Sequence, residues 1–394
     1  MKCMALRLRD RPELTVAFRH IIFRRRQTAL SLLATALAVS ISIIFISLVT
    51  GQQQILTGLV EDKLPHVTVL PDFNQDFIHL YDRLEGRLAA EPGIRSYAPS
   101  LSGTATLSRK DRTKNALLKG ADHRQLDSIY GIAGSMLQGD YAGVDQVGCA
   151  AIGSTLAEDL DAKLGDRIRA EFPRARAADL KVVGIFATGT PLDERAVFVS
   201  LETARRFRDE GDVIDAVEIS LDDINRAEEL AGKVGSWGYR AKSWQESNPE
   251  IVRAINVGGF WTRFSVLLFM LLAFFGVASI MNLLVSEKTR EIGMLMAIGA
   301  SRSTVRNIFL AESAILGAIG AAIGAVFGLA GTILLGRVPF EIAAGGRVIT
   351  TLPLIVNPGE VLLLMAAAVL LSIAAALYPA KRASGLDPVA ALRR

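Results

Sequence analysis

"VSEKTREIGMLMAIGASRSTVRN", residues 285–307, separates two strongly apolar runs of the chain. It opens on charge, with Glu287, Lys288, Arg290 and Glu291. Ile292, Leu295 and either Ile298 or Gly299 then share one face at helical spacing. Gly299 offers a permissive C-terminal stop, Ala300 follows it, and Ser301 or Ser303 stands where a following helix needs a cap. The spacing predicts a short amphipathic helix held between two longer ones. Composition alone allows an ordinary interhelical loop; the other reading is a rigid knob shaped for a groove in a partner.

Working outward, four segments are long and apolar enough to cross about 30 Å of hydrocarbon at about 1.5 Å per residue. They are 28–50, 264–285, 308–335 and 361–378. The first reads as an uncleaved span, because it is long for a signal-peptide core and follows a 27-residue polar lead. Residues 1–27 carry 8 Lys or Arg, the loop 286–307 carries 4 and the tail 379–394 carries 4, whereas the loop 336–360 has only Arg337 and Arg347. The positive-inside rule therefore expects both termini and the elbow in the cytoplasm, and 51–263 and 336–360 outside. Within the lead, Leu14, Ala17, Phe18, Ile21 and Ile22 at helical spacing suggest a helix in the inner interface, or one packed on neighbouring spans.

The composition agrees with such a division. At 51% hydrophobic the 394-residue chain is too apolar for an ordinary soluble protein, and at 21% charged too polar for one that is all membrane. Segment 51–263 holds 26 basic and 32 acidic residues, so the net charge of +4 belongs to the cytoplasmic face. It reads as topology and contact with anionic lipid, not as nucleic-acid binding. Cys3 and Cys149 fall on opposite sides of the membrane in this scheme, which excludes a disulfide framework, and no Cys/His cluster suggests a metal. His20, His66, His79 and His123 are scattered and read as surface or interfacial residues.

Two stretches of the external segment repeat one pattern. "HVTVLPD" (66–72), the helix-like 74–91 and "GIRSYAP" read as strand, helix, strand, and so do "AVEISLD" (216–222), 225–238 and "YRAKSW". Together they suit one split α+β layer. They bracket a β-rich insert containing "ATLSR", "NALLKG", "RIRAEF", "LKVVGIF" and "AVFVS". The expected fold is thus a membrane α-helical protein of four transmembrane helices with a large α+β extracytoplasmic domain of two subdomains. No catalytic constellation appears: Asp193 and Glu194 are chain neighbours, and Ser154 resembles a helix cap, with no G-x-S-x-G elbow around it.

The third span carries Gly317, Gly320, Gly324, Gly328 and Gly331. Small residues four apart line one face and let another helix approach closely. Glu312, one turn into that span, is expected to pair with Arg306 or a backbone group.

At this point a resemblance can be stated. "SEKTREIGMLMAIGASRSTVRNIFLAESAILGAIGAAIGAVFGL" (286–329) closely resembles the signature segment of FtsX/MacB-type ABC transporter permeases, and "LYPAKRASGLDPVAALR" (377–393) resembles their ending. "LKVVGIFATGTPLDERAVFVSLETARRF" and "SWQESNPEIVRAIN" look most like the lipoprotein-releasing LolC/LolE branch. The resemblance implies that the elbow is a coupling helix docking on an ATPase subunit, which assigns Glu287, Lys288, Arg290, Glu291, Ile292, Leu295, Gly299 and Ala300 to that contact. It further implies a MacB-like periplasmic domain, a second permease copy and residence in the bacterial cytoplasmic (inner) membrane. ATP and Mg would be bound by the partner ATPase. The sequence agrees in having no G-x-x-x-x-G-K-[ST] loop.

The expected function is that of a non-catalytic permease subunit extracting lipoproteins from the outer leaflet, with a periplasmic chaperone or adaptor as a further partner. Phe45, Leu48, Phe269 and Phe275 are candidates for the acyl-chain path, and equally for helix packing. The turn "EFPRARAAD" (171–179), with Arg174 and Arg176, is short for the chaperone-recruiting hairpin of that branch. The alternatives are a MacB-like exporter of hydrophobic compounds or peptides, and an FtsX-like transmitter to a cell-wall hydrolase.

Overall fold

Long apolar runs become the long helices of this chain, through the glycines of the third and past Pro379 in the fourth, and the β-branched stretches between the first two become a sheet. The structure, a computed structural model, describes residues 25–172, 177–344 and 347–387. The amphipathic lead before residue 25 (with Cys3 and His20), Arg174 and Arg176 of the short turn, and the basic end from residue 388 lie outside the described residues.

In chain order the elements begin with α1 (Arg25–Lys63), β1 (Val67–Leu70), α2 (Asp82–Ala89), β2 (Ile94–Arg109), β3 (Arg112–Gly120), α3 (His123–Tyr130) and β4 (Met136–Gly139). Then come β5 (Cys149–Gly153), α4 (Ser154–Asp159), β6 (Arg167–Glu171), β7 (Ala178–Phe186), α5 (Leu192–Arg195), β8 (Ala196–Val199) and α6 (Leu201–Arg208). The series continues with β9 (Ala216–Leu221), α7 (Ala227–Gly235), β10 (Arg240–Ser243), α8 (Trp244–Ser247), α9 (Pro249–Glu287), α10 (Thr289–Ala297) and α11 (Arg302–Leu335). It closes with β11 (Pro339–Ala344), β12 (Arg347–Thr351) and α12 (Pro358–Ser384). Among the described residues the chain divides into two compact units, a helical one and one comprising Gln54–Ile255 with Phe340–Thr350.

In the sheet unit the strand order is β10-β1-β9-β2-β3-β8-β5-β7-β4, with β6 pairing β2 and β7. The two expected strand–helix–strand units interleave as β10-β1-β9-β2, each strand antiparallel to its neighbour. Helices α2 and α7 bury Leu84, Leu88, Leu230 and Val234 with Val67, Val69, Val217 and Ile219 of the strands. The insert forms the rest of the sheet, over separate apolar clusters around Leu118, Ile152, Val182 and Val197 and around Leu126, Ile132 and the Phe186–Phe198 pair. Residue pattern explains the two strand types. In β6 the chain alternates, with Ile168 and Ala170 buried and Arg167, Arg169 and Glu171 exposed, whereas β5 and β8 are buried throughout.

Several expectations need correction. The helix foreseen over 74–91 forms only at Asp82–Ala89. Ile78 is drawn into a bridge with Ile214, its N–H donating to the Ile214 carbonyl at 2.7 Å, and Leu80 turns with φ 55°. Pairing to the sheet overrides local helix propensity there. Ser154 is not a cap: it is the first residue of α4, the cap position is Gly153, and no side chain caps it. His66 is fully buried and so is not a surface residue. The loop 336–360 contains the paired strands β11 and β12.

In the helical unit, four helices among the described residues are long and apolar enough to cross a membrane: Thr28–Lys63, Pro249–Glu287, Arg302–Leu335 and Pro358–Ser384. The first two run well past the apolar segments 28–50 and 264–285. Hydrophobicity marks what hydrocarbon can hold, while the helix itself continues through "GQQQILTGLVEDK" until Pro65. Asn357 caps α12 by accepting from the Gly359 N–H at 3.0 Å, with Pro358 at the first turn.

Candidate functional site

The elbow is built by two breaks. Helix α9 ends at Glu287, and Lys288 steps out of helical geometry while still carrying the ladder, its N–H donating to the Leu284 carbonyl at 3.0 Å. Helix α10 then runs to Ala297 and stops at Gly299 with φ 104°. The Gly299 N–H donates to the Met296 carbonyl at 3.1 Å and the Ala300 N–H to the Leu295 carbonyl at 3.0 Å, the paired bonds of a Schellman ending. Ser301 caps α11, its Oγ accepting from the Thr304 N–H at 3.2 Å.

Ile292 does not point outward. It is buried with Leu284, Val285, Val305, Phe309, Ala380 and Ala383, so α10 is braced by α9, α11 and α12. Lys288 is also buried, and its Nζ sits 3.2 Å from the exposed Glu291 carboxylate. Such a pair contributes little by itself; the lysine stem fills apolar space. Leu295 is half-buried beside a cavity of about 20 Å³ that it lines with Lys288, Glu291, Ile292, Val305, Ile308 and Phe309. That volume holds about one water and is a packing gap.

The outward stripe consists of Glu287, Arg290, Glu291, Met294, Ala297 and Ile298. Met294 is 51% exposed and Ile298 79%. The surface an outside partner can touch is therefore charged at its start and apolar at its end. Ile292 and Lys288, expected on that surface, support it from behind. Met294 lies on this exposed stripe although the sequence reading did not single it out: it falls three after Glu291 and four after Arg290, on the charged face.

The glycine face of α11 is used twice. A Cβ at Gly320 would lie 2.8 Å from Thr35 Cβ, at Gly324 2.6 Å from the Ala36 carbonyl oxygen, and at Gly328 3.0 Å from Ile43 Cβ, all on α1. Gly317 instead faces α12, with Ser372 Cβ 2.7 Å from the built position. There the Ser313 hydroxyl donates to the Ser372 carbonyl. Glu312 is buried in the same helix.

The acyl-path candidates differ in exposure. Phe45, Leu48 and Phe269 are half-buried and Phe275 is exposed, edge-on to Phe274, and none joins the buried clusters among the described residues. An aromatic group the sequence did not single out lies near the start of the apolar part of α9. Phe260, Trp261 and Phe264 are exposed, with ring centroids 5.9–6.2 Å apart. Aromatic rings of this kind concentrate at membrane–water interfaces.

In the sheet unit Asp193 is a loop brace. Its carboxylate accepts from the Thr188 N–H, the Thr188 hydroxyl and the Gly189 N–H, each at 2.8 Å, while Glu194 faces solvent.

Comparison with known proteins accords with this architecture. Residues 28–236 match the MacB-like periplasmic core domain, and residues 263–388 match the FtsX-like permease C-terminal family. The chain is 25% identical over 388 residues to the lipoprotein-releasing system transmembrane protein LolE of Haemophilus influenzae, covering 92% of this chain and 93% of that one. It is 25% identical over 392 residues to LolC of Neisseria meningitidis serogroup B, covering 93% and 94%. To the macrolide export ATP-binding/permease protein MacB of Hyphomonas neptunium it is 25% identical over 419 residues, covering 96% of this chain and 60% of that one. Among solved structures, the periplasmic region of MacB from Actinobacillus actinomycetemcomitans aligns with 50% of this chain and 97% of its own, at 15% identity and a TM-score of 0.35. With its MacB-like periplasmic core and its FtsX-like C-terminal part, the chain belongs to the FtsX/MacB-type family of ABC transporter permeases.

Proposed function

We propose that this permease works in the bacterial inner membrane with a separate ATPase subunit and a second permease copy, and extracts lipoproteins from the outer leaflet. Both termini and the elbow face the cytoplasm, and the sheet unit and the 336–360 loop face the periplasm. The observation that carries the reading is the braced elbow, a short helix fixed to three others from behind and presenting Arg290, Glu291, Met294 and Ile298 in front. A knob held this rigidly passes force to the helices that hold it. Likeness to LolE and LolC along more than 90% of the chain supports lipoprotein as the cargo.

The sheet unit then comprises two lobes, the interleaved β10-β1-β9-β2 layer and the β-rich insert, whose short 171–179 turn speaks against chaperone capture by this chain. A second reading, export of hydrophobic compounds or peptides, is supported by the MacB relative, which aligns with 96% of this chain. Purification with the ATPase in nanodiscs separates the two. An acylated lipoprotein that co-purifies and leaves on ATP addition supports the first reading. ATP-driven efflux of hydrophobic compounds without bound lipoprotein overturns it in favour of the second.

A further inference from the structure

Strand β2 is 16 residues long and changes its principal partner midway. Residues Ile94–Ser100 pair with β9, and Leu101–Arg109 pair with β3. Apolar packing crosses the junction at Ala98, which joins the insert cluster around Phe198, and at Leu201, which packs on both sides, while the buried group between the strands is charged. Lys119 of β3 reaches Glu218 of β9, and its Nζ also donates to the Tyr130 hydroxyl at 3.0 Å. That hydroxyl donates to Glu218 Oε1 at 2.9 Å. All three side chains are buried. Beside them, the Asp215 N–H donates to the Ser100 carbonyl at 3.0 Å, and its Oδ2 accepts from the Ser102 N–H at 2.8 Å. Arg208 Nη1 donates to the Ser102 carbonyl at 2.6 Å. The backbone is thus clamped from both sides at the place where β2 exchanges partners.

A buried ion pair is poor glue, because desolvation consumes most of the attraction, but it is strict about geometry. Burial alone pulls the Lys119 ammonium toward neutrality, yet Glu218 and Tyr130 outweigh it and hold the group above the usual lysine range. We propose that the Lys119–Glu218–Tyr130 triad, with Asp215 and Arg208 on Ser100–Ser102, is an angular lock that makes the two parts of the sheet turn as one body. An apolar seam of equal area would hold the parts together but let them swivel. The inference builds on the two-lobe reading; its test needs neither ATPase nor cargo, so its failure is separable from failure of the transport reading.

The test is hydrogen exchange on the full chain in nanodiscs. In the native protein, amides at Ser100–Ser102 and Asp215–Val217 should exchange as slowly as those of β5. Lys119→Met should speed the seam amides by about tenfold or more while β1 and β5 stay slow. A volume-matched swap, Lys119→Met with Glu218→Leu and Tyr130→Phe, leaves neither a buried charge nor a buried hydroxyl without a partner; it should keep the melting temperature and still leave the seam fast. Unchanged seam amides in Lys119→Met, acceleration spread evenly over the domain, or a seam made slow again by the apolar swap would each reduce the triad to ordinary packing and overturn the proposal.

Discussion

The imidazole of His66 accepts a hydrogen bond at Nδ1 from the Leu221 N–H, at 2.8 Å, while Nε2 lies 3.1 Å from the Val60 carbonyl oxygen. The two contacts fix the neutral ring with its proton on Nε2, and they tie the last turn of α1 to the end of β9. Backbone bonds from the His66 N–H to Ile219 and from the Trp244 N–H to the His66 carbonyl, both 2.8 Å, complete the junction.

Burial, set against the carbonyls near Val60, holds the His66 pKa below its ordinary value of 6.5. As pH falls through 6.5 the unfolded chain takes up the proton first, so the stability this histidine contributes is full above that value and drains below it. His66→Gln should flatten the acid side of the melting-temperature profile. His66→Ala, which leaves a buried N–H and a buried carbonyl without partners, should cost about 2–4 kcal/mol at pH 7.5. Thermal unfolding at several pH values reads both.

Asp215 gives the opposite slope. Burial, only partly offset by the Ser102 N–H and Arg208, raises its carboxyl to about 6 from 3.8. The folded chain holds that proton where the unfolded chain releases it, so stability falls as pH rises from about 4 to 6, by roughly 3 kcal/mol at most. In Asp215→Asn that decline should vanish while the His66 effect remains. Melting curves between pH 4 and 7 on both variants and the double variant separate the two groups.

At Gly324 a new Cβ would meet the Ala36 carbonyl oxygen at 2.6 Å and Val39 Cβ at 2.8 Å, neither of which can move without shifting α1. Gly331→Ala meets only the end of the Ile44 side chain at 2.9 Å, which can rotate away. Gly324→Val should therefore lose about 2–3 kcal/mol or fail to assemble, and Gly331→Ala should behave nearly as the native protein. Thermal stability in detergent, followed by size exclusion, checks the contrast.

On the elbow, stability and docking should come apart. Ile292→Ala empties part of the cluster with Val305 and Phe309 and should cost about 2–4 kcal/mol. Ile298→Glu, on a side chain 79% exposed, should leave the melting temperature unchanged and weaken ATPase binding by about tenfold or more. Pull-down titration beside thermal unfolding measures the two. Intact binding in Ile298→Glu would remove the outer stripe from the interface.

The apolar runs, the punctuation at Gly299 and Ser301, and the small-residue face of α11 are local in cause, and so they were legible in the sequence. The inward turn of Ile292 was not. Helical periodicity tells which residues share a face, and says nothing about which face the neighbouring helices cover. Ile78 escaped notice for a related reason: its bridge to Ile214 joins residues far apart in the chain, and no local pattern announces it. The buried triad escaped as well, since Lys119, Tyr130 and Glu218 are each commonplace until the strand order sets them side by side.

Helix α1 runs 39 residues without proline, which at about 1.5 Å per residue makes a rod of roughly 58 Å. A bilayer core takes up about 30 Å of that, leaving nearly half the shaft clear of hydrocarbon. The far end therefore needs firm anchorage, and Lys63 supplies part of it by donating to the Gly131 carbonyl at 3.0 Å and to the Ser135 hydroxyl at 2.9 Å.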